Sequence, residues 1–379
     1  MNEFSGMLLQ ANLIGGKWSA ADTGATIAVS NPATGAELGQ VPNCGTAETN
    51  RAIAAATAAF ADWSRSNLSF RVGLLHKLHE ALMDHQEPLA QLLTAEQGKP
   101  LAEARGEIAI GAAYVRWFAE EVPRAKGEIV PAPTADRRLM VTRHPVGVVG
   151  AITPWNFPSS MLARKLAPAL AAGCTIVAKP ATATPYSGLA WGKLCQDVGF
   201  PYGVVNIVTG SAREIGGAIM ASPDVRKVTF TGSTDVGKVL IRQSADTVKK
   251  VSMELGGNAP FVVFDDADID AAIEGAMIAK YRNMGQTCVC TNRFYAQAGI
   301  HDAFVARLKE ATEAMLVGDG ADDGVLQGPM IDMAGVEKVE EMIADATAKG
   351  GKVIFGGKRH SKGGTFFEPT VITGATADM

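Results

Sequence analysis

One cysteine has the setting that covalent chemistry needs. Cys288 lies in the segment GQTCVC, residues 285–290, just past a predicted helix. A thiol among small polar residues acts as a nucleophile where its thiolate is stabilised. A cysteine taken by itself is more often a small buried hydrophobe, so this residue alone does not decide the chemistry.

Two further polar residues are candidates for roles in the same chemistry. Glu254 lies in MELGGN, residues 253–258, between apolar residues and glycines, and can serve as a partly buried general base. The alternative is a solvated carboxylate at a strand end, which is the commoner case. Asn156, in PWNFP at residues 154–158, can donate its amide to an oxyanion or cap the helix that follows.

Familiar phosphate-binding motifs are incomplete in this sequence. No G-x-G-x-x-G follows a predicted strand, so the usual dinucleotide fingerprint is absent. Residues 232–238 approach a P-loop, but Val239 stands where a serine or threonine must hold magnesium. What remains is FTGST, residues 230–234: a strand end, a glycine and hydroxyls that open a helix. Such a helix N-terminus with Ser233 binds anions, although serine is also an ordinary N-cap.

Strands and helices alternate through the middle of the chain. Short β-rich runs occupy residues 146–152, 175–178, 204–208 and 226–230. Helical segments follow them, starting near Ser159, Thr184, Ser211 and Ser233. This alternation predicts a parallel, doubly wound α/β sheet with ligands at the carboxyl ends of its strands. A second series follows Gly257, with strands at 261–264, 294–297 and 353–355 and a helix at 269–282.

The first part of the chain has a different pattern. Residues 12–18 and 27–31 are expected to be extended, residues 138–144 to form an exposed strand, and residues 49–63, 71–94 and 101–121 to be helical. Leu74, Leu75, Leu78 and Leu82 share one helical face. Pro88 is expected to kink or divide the helix that carries them.

Composition excludes several classes of protein. A chain of 379 residues with 47% hydrophobic and 20% charged residues predicts a globular protein of two or more domains. The net charge is −4 and no basic stripe appears, which argues against nucleic acid or anionic lipid as partners. Five scattered cysteines argue against a disulfide scaffold, and none is paired for zinc. No secretory signal or membrane span is evident, so a cytoplasmic location is expected.

Five motifs, read together, carry a family resemblance. PWNFP, KPAT, FTGST, MELGGNAP and GQTCVC, in that order, resemble the aldehyde dehydrogenase superfamily from about Leu13 to the last residue. The resemblance implies two doubly wound α/β domains plus a small β oligomerisation hairpin. We place the dinucleotide-binding domain at 1–126 and 145–256, the hairpin at 127–144 and the catalytic domain at 257–379. It also implies a homo-oligomer if the C-terminus were complete, with a homotetramer expected.

The resemblance also implies a mechanism. Cys288 would attack the aldehyde carbon to give a thiohemiacetal. Asn156 and the backbone N–H of Cys288 would stabilise the oxyanion. Transfer of a hydride to the nicotinamide would leave a thioester, and Glu254 would activate the water that hydrolyses it. The presence of this glutamate speaks against the CoA-acylating members of the family.

Cofactor positions follow from the same motifs. Residues that match the family's binding positions are Trp155, Asn156, Lys179, Thr182, Gly232, Ser233 and Leu255. Members with a glutamate at the position of Thr182 tend to prefer NAD. Because Thr182 has no carboxylate to repel a ribose phosphate, NADP is favoured over NAD. No metal is expected.

Two arginines point to the substrate. Arg282 in RNMGQTCVC and Arg164 in MLARK resemble the succinate-semialdehyde branch, in γ-aminobutyrate degradation. Two guanidinium groups suit a substrate with a distal carboxylate, although both arginines can also be ordinary surface residues. Glutarate semialdehyde, one methylene longer, stays open as an alternative, because one methylene discriminates weakly. Cys290 is a candidate redox switch through a strained disulfide with Cys288.

The chain ends before a further family motif. Family members commonly continue through E-x-F-G-P, whose glutamate holds the nicotinamide ribose, whereas this sequence stops at Met379. We therefore expect the catalytic domain to be incomplete at its C-terminus. The alternative to a working aldehyde dehydrogenase is an inactive remnant that only binds cofactor.

Overall fold

The structure is a computed structural model that describes residues 3–379, so the first two residues of the predicted N-terminal domain lie outside it. The helices of the described chain are α1 (Thr46–Arg65), α2 (Leu68–Asp84), α3 (Gln86–Gln97), α4 (Leu101–Glu121), α5 (Pro158–Ala171), α6 (Pro185–Asp197), α7 (Ala212–Ala221), α8 (Thr234–Ser244), α9 (Ile269–Tyr281), α10 (His301–Glu313) and α11 (Met333–Ala348). The strands are β1 (Asn12–Ile14), β2 (Lys17–Ser19), β3 (Thr26–Ser30), β4 (Glu37–Pro42), β5 (Glu128–Val130), β6 (Leu139–Val141), β7 (Val148–Ile152), β8 (Thr175–Lys179), β9 (Val205–Ile207), β10 (Val225–Thr231), β11 (Lys250–Glu254), β12 (Ala259–Val263), β13 (Thr291–Ala296), β14 (Lys352–Phe355) and β15 (Val371–Thr373).

The chain forms two compact units. The first unit comprises the residues up to Ala28, Gly39–Leu89 and Arg105–Glu254. It holds a seven-stranded sheet in the order β11-β10-β7-β8-β9-β1-β2, in which β7 to β11 are parallel and β1 and β2 are antiparallel additions at one edge. The almost continuous burial of β7 and β8 is what a strand covered on both faces requires. The predicted α/β sheet is therefore present.

Three helices of this unit start next to residues at which helix starts were predicted. Thr184, Ser211 and Ser233 are the N-cap residues of α6, α7 and α8. The Ser211 hydroxyl accepts a hydrogen bond from the Glu214 N–H at 3.3 Å, which satisfies one of the free amide groups of the first turn. Capping chemistry is local, and for this reason the sequence located these starts within a residue or two.

The predicted helix over residues 71–94 is divided, as expected, but not at Pro88. The helix α2 ends at Asp84 and α3 begins at Gln86, so Pro88 lies in the first turn of α3, where its missing N–H costs nothing. The four leucines at 74, 75, 78 and 82 are all buried, which confirms the predicted apolar face.

The predicted hairpin region forms two short antiparallel strands, in which Glu128 pairs with Val141 and Val130 with Leu139. Its apolar side chains face solvent: Ile129 is 79% and Met140 is 72% exposed.

The second unit comprises Val29–Leu38, Ala90–Ala104 and Leu255–Met379. Its core includes Phe261 of β12, Phe294 of β13 and Phe304 of α10, with ring centroids 5.4 to 6.5 Å apart, and β12 and β13 pair in parallel. The described residues of this unit also contain the antiparallel pair β14 and β15 and the helices α9, α10 and α11, as expected of a second α/β domain. The units also divide the chain differently from the predicted domains, because residues 29–38 and 90–104 group with the second unit.

Candidate active site

Four predicted site residues lie at one edge of the seven-stranded sheet. Asn156 follows β7, Lys179 ends β8, Gly232 follows β10 and Glu254 ends β11. These strands are neighbours, and the register pairs Ile152 with Lys179 and Thr231 with Glu254. Because parallel strands end at the same edge, the topology brings these side chains together where open α/β sheets bind ligands.

Lys179 is the buried cation of this edge. Its ammonium group donates to the carbonyl oxygen of Pro180 at 3.1 Å and to the Thr182 hydroxyl at 3.2 Å, and the side chain is 3% exposed. Burial lowers its pKa to about 8. Both of these partners are neutral oxygen atoms and Thr182 itself is exposed, so the site fits the hydroxyl or phosphate groups of a nucleotide ribose.

The N-terminus of α8 fits a second anionic group. Ser233 caps this helix, its hydroxyl accepting the Val236 N–H at 3.4 Å, and the helix dipole favours negative charge at that end. The Gly232 N–H donates to the Glu254 carbonyl oxygen at 3.0 Å. A Cβ at position 232 would overlap the Phe230 ring, so the close fit there requires glycine. Together with Lys179, this geometry suits a dinucleotide cofactor.

The turn that carries Trp155 and Asn156 is held by a buried carboxylate. Both residues are half-buried, and α5 begins two residues later. The buried Glu107 accepts the N–H groups of Ser159 and Ser160, each at 3.0 Å. This carboxylate satisfies the first free amide groups of α5 and so holds the turn that presents Asn156. Sequence reasoning missed Glu107, although an acidic residue among the apolar positions of α4 was a usable signal.

A cavity of about 790 Å³ within the first unit contains Arg164, Lys165 and Glu254. Arg164 is exposed and lies over the Tyr114 ring, with its guanidinium carbon 4.9 Å from the ring centroid. Lys165 is buried and donates to the Thr231 hydroxyl at 2.7 Å. Burial lowers its pKa to about 8, against the opposing effect of the Glu254 carboxylate. The predicted base and one predicted arginine therefore share a basic cavity, and Lys165 was not predicted. Glu254 is exposed at the end of β11 rather than partly buried as expected, because no described residue covers this strand end.

The remaining predicted residues lie in the second unit. All five cysteines are in the described part of the chain and all are free, and Cys288 is the one that is exposed. Cys290 is buried, and its thiol donates to the Lys280 carbonyl oxygen at 3.2 Å. Arg282 is exposed just past the end of α9, and Leu255 is half-buried where this unit begins. The sequence thus found the accessible thiol, which is the form a nucleophile needs.

Among residues 3–379, no three histidine, cysteine, aspartate or glutamate side chains gather where they could hold a metal ion. Within the same range, no helix is long and apolar enough to cross a membrane.

Comparison with known proteins adds independent information. Residues 18–379 match the model of the aldehyde dehydrogenase family. The chain is 56% identical to a 3-sulfolactaldehyde dehydrogenase of Pseudomonas putida, over 98% of this chain and 77% of the relative. It is 54% identical to a glutarate-semialdehyde dehydrogenase of Pseudomonas aeruginosa, over 96% and 75%. The crystal structure of a succinate-semialdehyde dehydrogenase from Burkholderia pseudomallei superposes with a TM-score of 0.98 at 53% identity, covering 99% of this chain and 78% of that one.

Proposed function

Since the chain belongs to the aldehyde dehydrogenase family, we propose that it oxidises succinate semialdehyde to succinate with NADP or NAD. The observation that carries this proposal is the exposed thiol of Cys288, alone among five cysteines. The three relatives described above act, by their names, on aldehydes that also bear an acidic group. This shared substrate chemistry matches the basic cavity of the first unit.

The proposed reaction uses three side chains of this protein. The Cys288 sulfur bonds to the aldehyde carbon and the carbonyl oxygen becomes an oxyanion, which the Asn156 amide and the Cys288 N–H stabilise. A nicotinamide bound at the sheet edge supplies the acceptor for the hydride that leaves this carbon. Glu254 then takes a proton from water, whose oxygen attacks the resulting thioester and releases the acid and the Cys288 thiolate.

The cofactor would be held at the strand ends of the first unit. Lys179 and Thr182 would bind the adenosine ribose, and Gly232 and Ser233 the pyrophosphate. The remaining cofactor positions are assigned by resemblance: Trp155 and Asn156, and Leu255 at the start of the second unit. The exposed, neutral Thr182 beside a buried cation supports a preference for NADP. Thr182→Glu should therefore move the ratio of kcat/KM for NADP over NAD at least tenfold towards NAD, since like charges then oppose the ribose phosphate. An unchanged ratio would show that position 182 does not determine the preference between NADP and NAD.

Arg164 and Arg282 are proposed to bind the distal carboxylate. Arg164→Gln should raise KM for succinate semialdehyde by about tenfold or more, since a hydrogen bond to a charged group contributes roughly 1.5–3 kcal/mol. Butyraldehyde has the same chain length without the carboxylate, and its KM should hardly change. Arg116→Gln, at an exposed ion pair with Glu120, is the matched control. Equal effects on both aldehydes would contradict the proposed role.

Glutarate semialdehyde and 3-sulfolactaldehyde are the alternative substrates that the relatives suggest. A carboxylate one methylene farther from the aldehyde, or a sulfonate, is also an anion that a guanidinium group can bind. Comparison of kcat/KM for the three aldehydes decides among them. Succinate semialdehyde is expected to give the highest value, and a higher value for either competitor would replace it.

Cys290 is proposed to act as a redox switch. One peroxide would oxidise the thiols of Cys288 and Cys290 to a disulfide with release of two waters, and Cys290 would have to leave its bond to the Lys280 carbonyl oxygen. Peroxide should then inactivate the wild type in a manner that thiol reverses. In Cys290→Ala, inactivation that is equally reversible by thiol would count against the switch.

A homo-oligomer, with a homotetramer as the specific expectation, is proposed from the resemblance. The exposed apolar hairpin around Ile129 and Met140 supports association, because soluble proteins rarely leave such patches uncovered. Analytical ultracentrifugation of the wild type beside Ile129→Lys tests it: a single monomeric species for both would argue against the role. The cytoplasmic location and the place in γ-aminobutyrate degradation stay predictions.

The overall activity has a simple test. The chain should reduce NADP in the presence of succinate semialdehyde, and Cys288→Ala should lower kcat by more than a thousandfold, as loss of a nucleophile does. Cys195→Ala, at a fully buried thiol, is the control and should keep its activity. Turnover that survives Cys288→Ala would refute the proposed nucleophile.

A further inference from the structure

The segment that leads to Cys288 has an unusual backbone. Asn283 (φ 54°, ψ 40°) and Met284 (φ 55°, ψ 32°) both adopt the left-handed conformation, and Gly285 follows at φ 70°. Glycine accepts this conformation freely, asparagine tolerates it and methionine rarely adopts it. Consecutive non-glycine residues in this region persist only where surrounding contacts hold them, and they tend to mark functional sites.

The contacts that hold this turn come from one carboxylate and one amide. The Asn283 N–H donates to Glu103 Oε2 at 2.8 Å, and the Asn283 side chain, which is fully buried, donates to the Gln286 carbonyl oxygen at 3.1 Å. The Gln286 N–H donates to the Asn283 carbonyl oxygen at 3.0 Å. Glu103 lies half-buried in the first turn of α4, where the helix dipole favours a carboxylate. All of these residues belong to the second unit.

Gln286 links the same turn to a neighbouring loop. Its side-chain oxygen accepts the Ile331 N–H at 3.1 Å, and its side-chain nitrogen reaches the Pro329 carbonyl oxygen at 3.5 Å. Thr287 and Cys288 come directly after it, and the Cys290 N–H returns to the Thr287 carbonyl oxygen at 3.4 Å. Hydrogen bonds therefore hold the backbone on both sides of Cys288, while the thiol itself is exposed.

We propose that Glu103 is a positioning residue for the nucleophile: it holds the left-handed turn at Asn283 and Met284 and thereby fixes the place of the Cys288 thiol. The inference rests on the proposed role of Cys288. Glu103 contacts the turn rather than the thiol, so it acts through the backbone. Without the carboxylate, the Asn283 N–H loses its acceptor and the turn is free to relax to right-handed or extended conformations. A misplacement of the nucleophile by about 1 Å can cost up to roughly a hundredfold in rate.

The test compares Glu103→Ala, Glu103→Gln and Glu274→Ala. Glutamine keeps a side-chain oxygen that can accept the Asn283 N–H, and Glu274 is an exposed glutamate on α9, the helix that precedes the turn. The first readout is the rate at which iodoacetamide alkylates Cys288, the exposed thiol, followed by peptide mass spectrometry. The second readout is kcat and KM for succinate semialdehyde and NADP.

Glu103→Ala should change the alkylation rate of Cys288 and lower kcat by about tenfold or more, with both KM values within about twofold of the wild type. Glu103→Gln should recover most of the loss, and Glu274→Ala should match the wild type. Wild-type alkylation and kcat in Glu103→Ala would overturn the inference, as would equal losses in the glutamine variant. Because alkylation needs no turnover, an inactive protein whose Cys288 alkylation still depends on Glu103 would contradict the proposed function but support the positioning of the thiol by Glu103.

A second variant tests whether Glu103 acts through the turn. Met284→Gly removes the side chain that opposes the left-handed conformation. In the Glu103→Ala background it should recover part of the lost kcat, because the turn then needs less support. Strictly additive effects of the two changes would show that Glu103 does not act through the turn.

Discussion

Replacement of Lys179 by methionine should stabilise the protein while it weakens cofactor binding. The Lys179 ammonium group is buried, and its pKa falls from the usual 10.5 to about 8 in the folded state. One pH unit corresponds to about 1.4 kcal/mol, so holding this side chain charged at pH 7 costs the folded state about 3 kcal/mol. Methionine removes the charge, but it also removes the donor to the Pro180 carbonyl oxygen and to the Thr182 hydroxyl. Because the exposed Thr182 can bond to water instead, the loss is about 1 kcal/mol, from Pro180.

The net expectation at pH 7 is therefore an increase of about 2 kcal/mol in the free energy of unfolding. The pH dependence has a definite sign. Between about pH 8 and pH 10.5 the folded wild type binds fewer protons at Lys179 than the unfolded chain does, so wild-type stability rises with pH there. The advantage of Lys179→Met should shrink by pH 10. Lys165 also has a pKa of about 8, but it is common to both proteins and cancels in the difference.

The assay is urea unfolding of both proteins at pH 7 and pH 10, with thermal shifts measured with and without NADP. Lys238→Met, at an exposed lysine, is the control and should change little. A Lys179→Met protein that is less stable than the wild type at pH 7 would refute the reasoning about burial. So would a stability difference that is the same at both pH values. An NADP-induced shift equal to that of the wild type would remove Lys179 from the cofactor site.

Three further changes follow from local geometry. Val248 is 88% exposed and left-handed (φ 49°), so Val248→Asn should raise the free energy of unfolding by about 1 kcal/mol in urea unfolding; a decrease would show that the valine side chain matters. Gly232→Ala should lower the free energy of unfolding by about 1–3 kcal/mol and reduce the NADP-induced thermal shift, because the added methyl group meets the buried Phe230 ring. The control is Gly217→Ala, where the added methyl group has open space and should not destabilise the protein. Glu107→Gln should lower the free energy of unfolding by about 1–2 kcal/mol, since the charged acceptor at the start of α5 is lost. Unchanged stability would show that Glu107 does not hold the turn that carries Asn156.

The sheet of the first unit was accessible from the sequence because its signals are local. Apolar runs at 146–152 and 175–178 predict buried strands, and serine and threonine caps mark the helix starts. The order of the strands in a wound sheet then places Asn156, Lys179 and Glu254 at one edge. Pattern and capping thus determine much of the candidate site.

The remaining features depend on contacts between distant parts of the chain. The spacing of apolar residues over 90–104 does not indicate that this segment joins the second unit. In the structure it does, and the Leu101 N–H donates to the Gly320 carbonyl oxygen at 2.8 Å. Asn283 and Met284 are not glycines, so the sequence does not indicate that they adopt the left-handed conformation. Glu103, which holds them, is far away in the sequence. Buried polar residues such as Lys165 look like ordinary helix residues until the packing around them is known.

Cys288 is proposed to form a covalent intermediate that Glu254 resolves. Glu254→Gln incubated with NADP and succinate semialdehyde should form about one equivalent of NADPH per active chain and then stall, since the thioester is no longer hydrolysed. Rapid acid quench and peptide mass spectrometry should find the succinyl group on Cys288. An acyl group on another residue, or steady turnover in Glu254→Gln with Cys288 unmodified, would contradict the account.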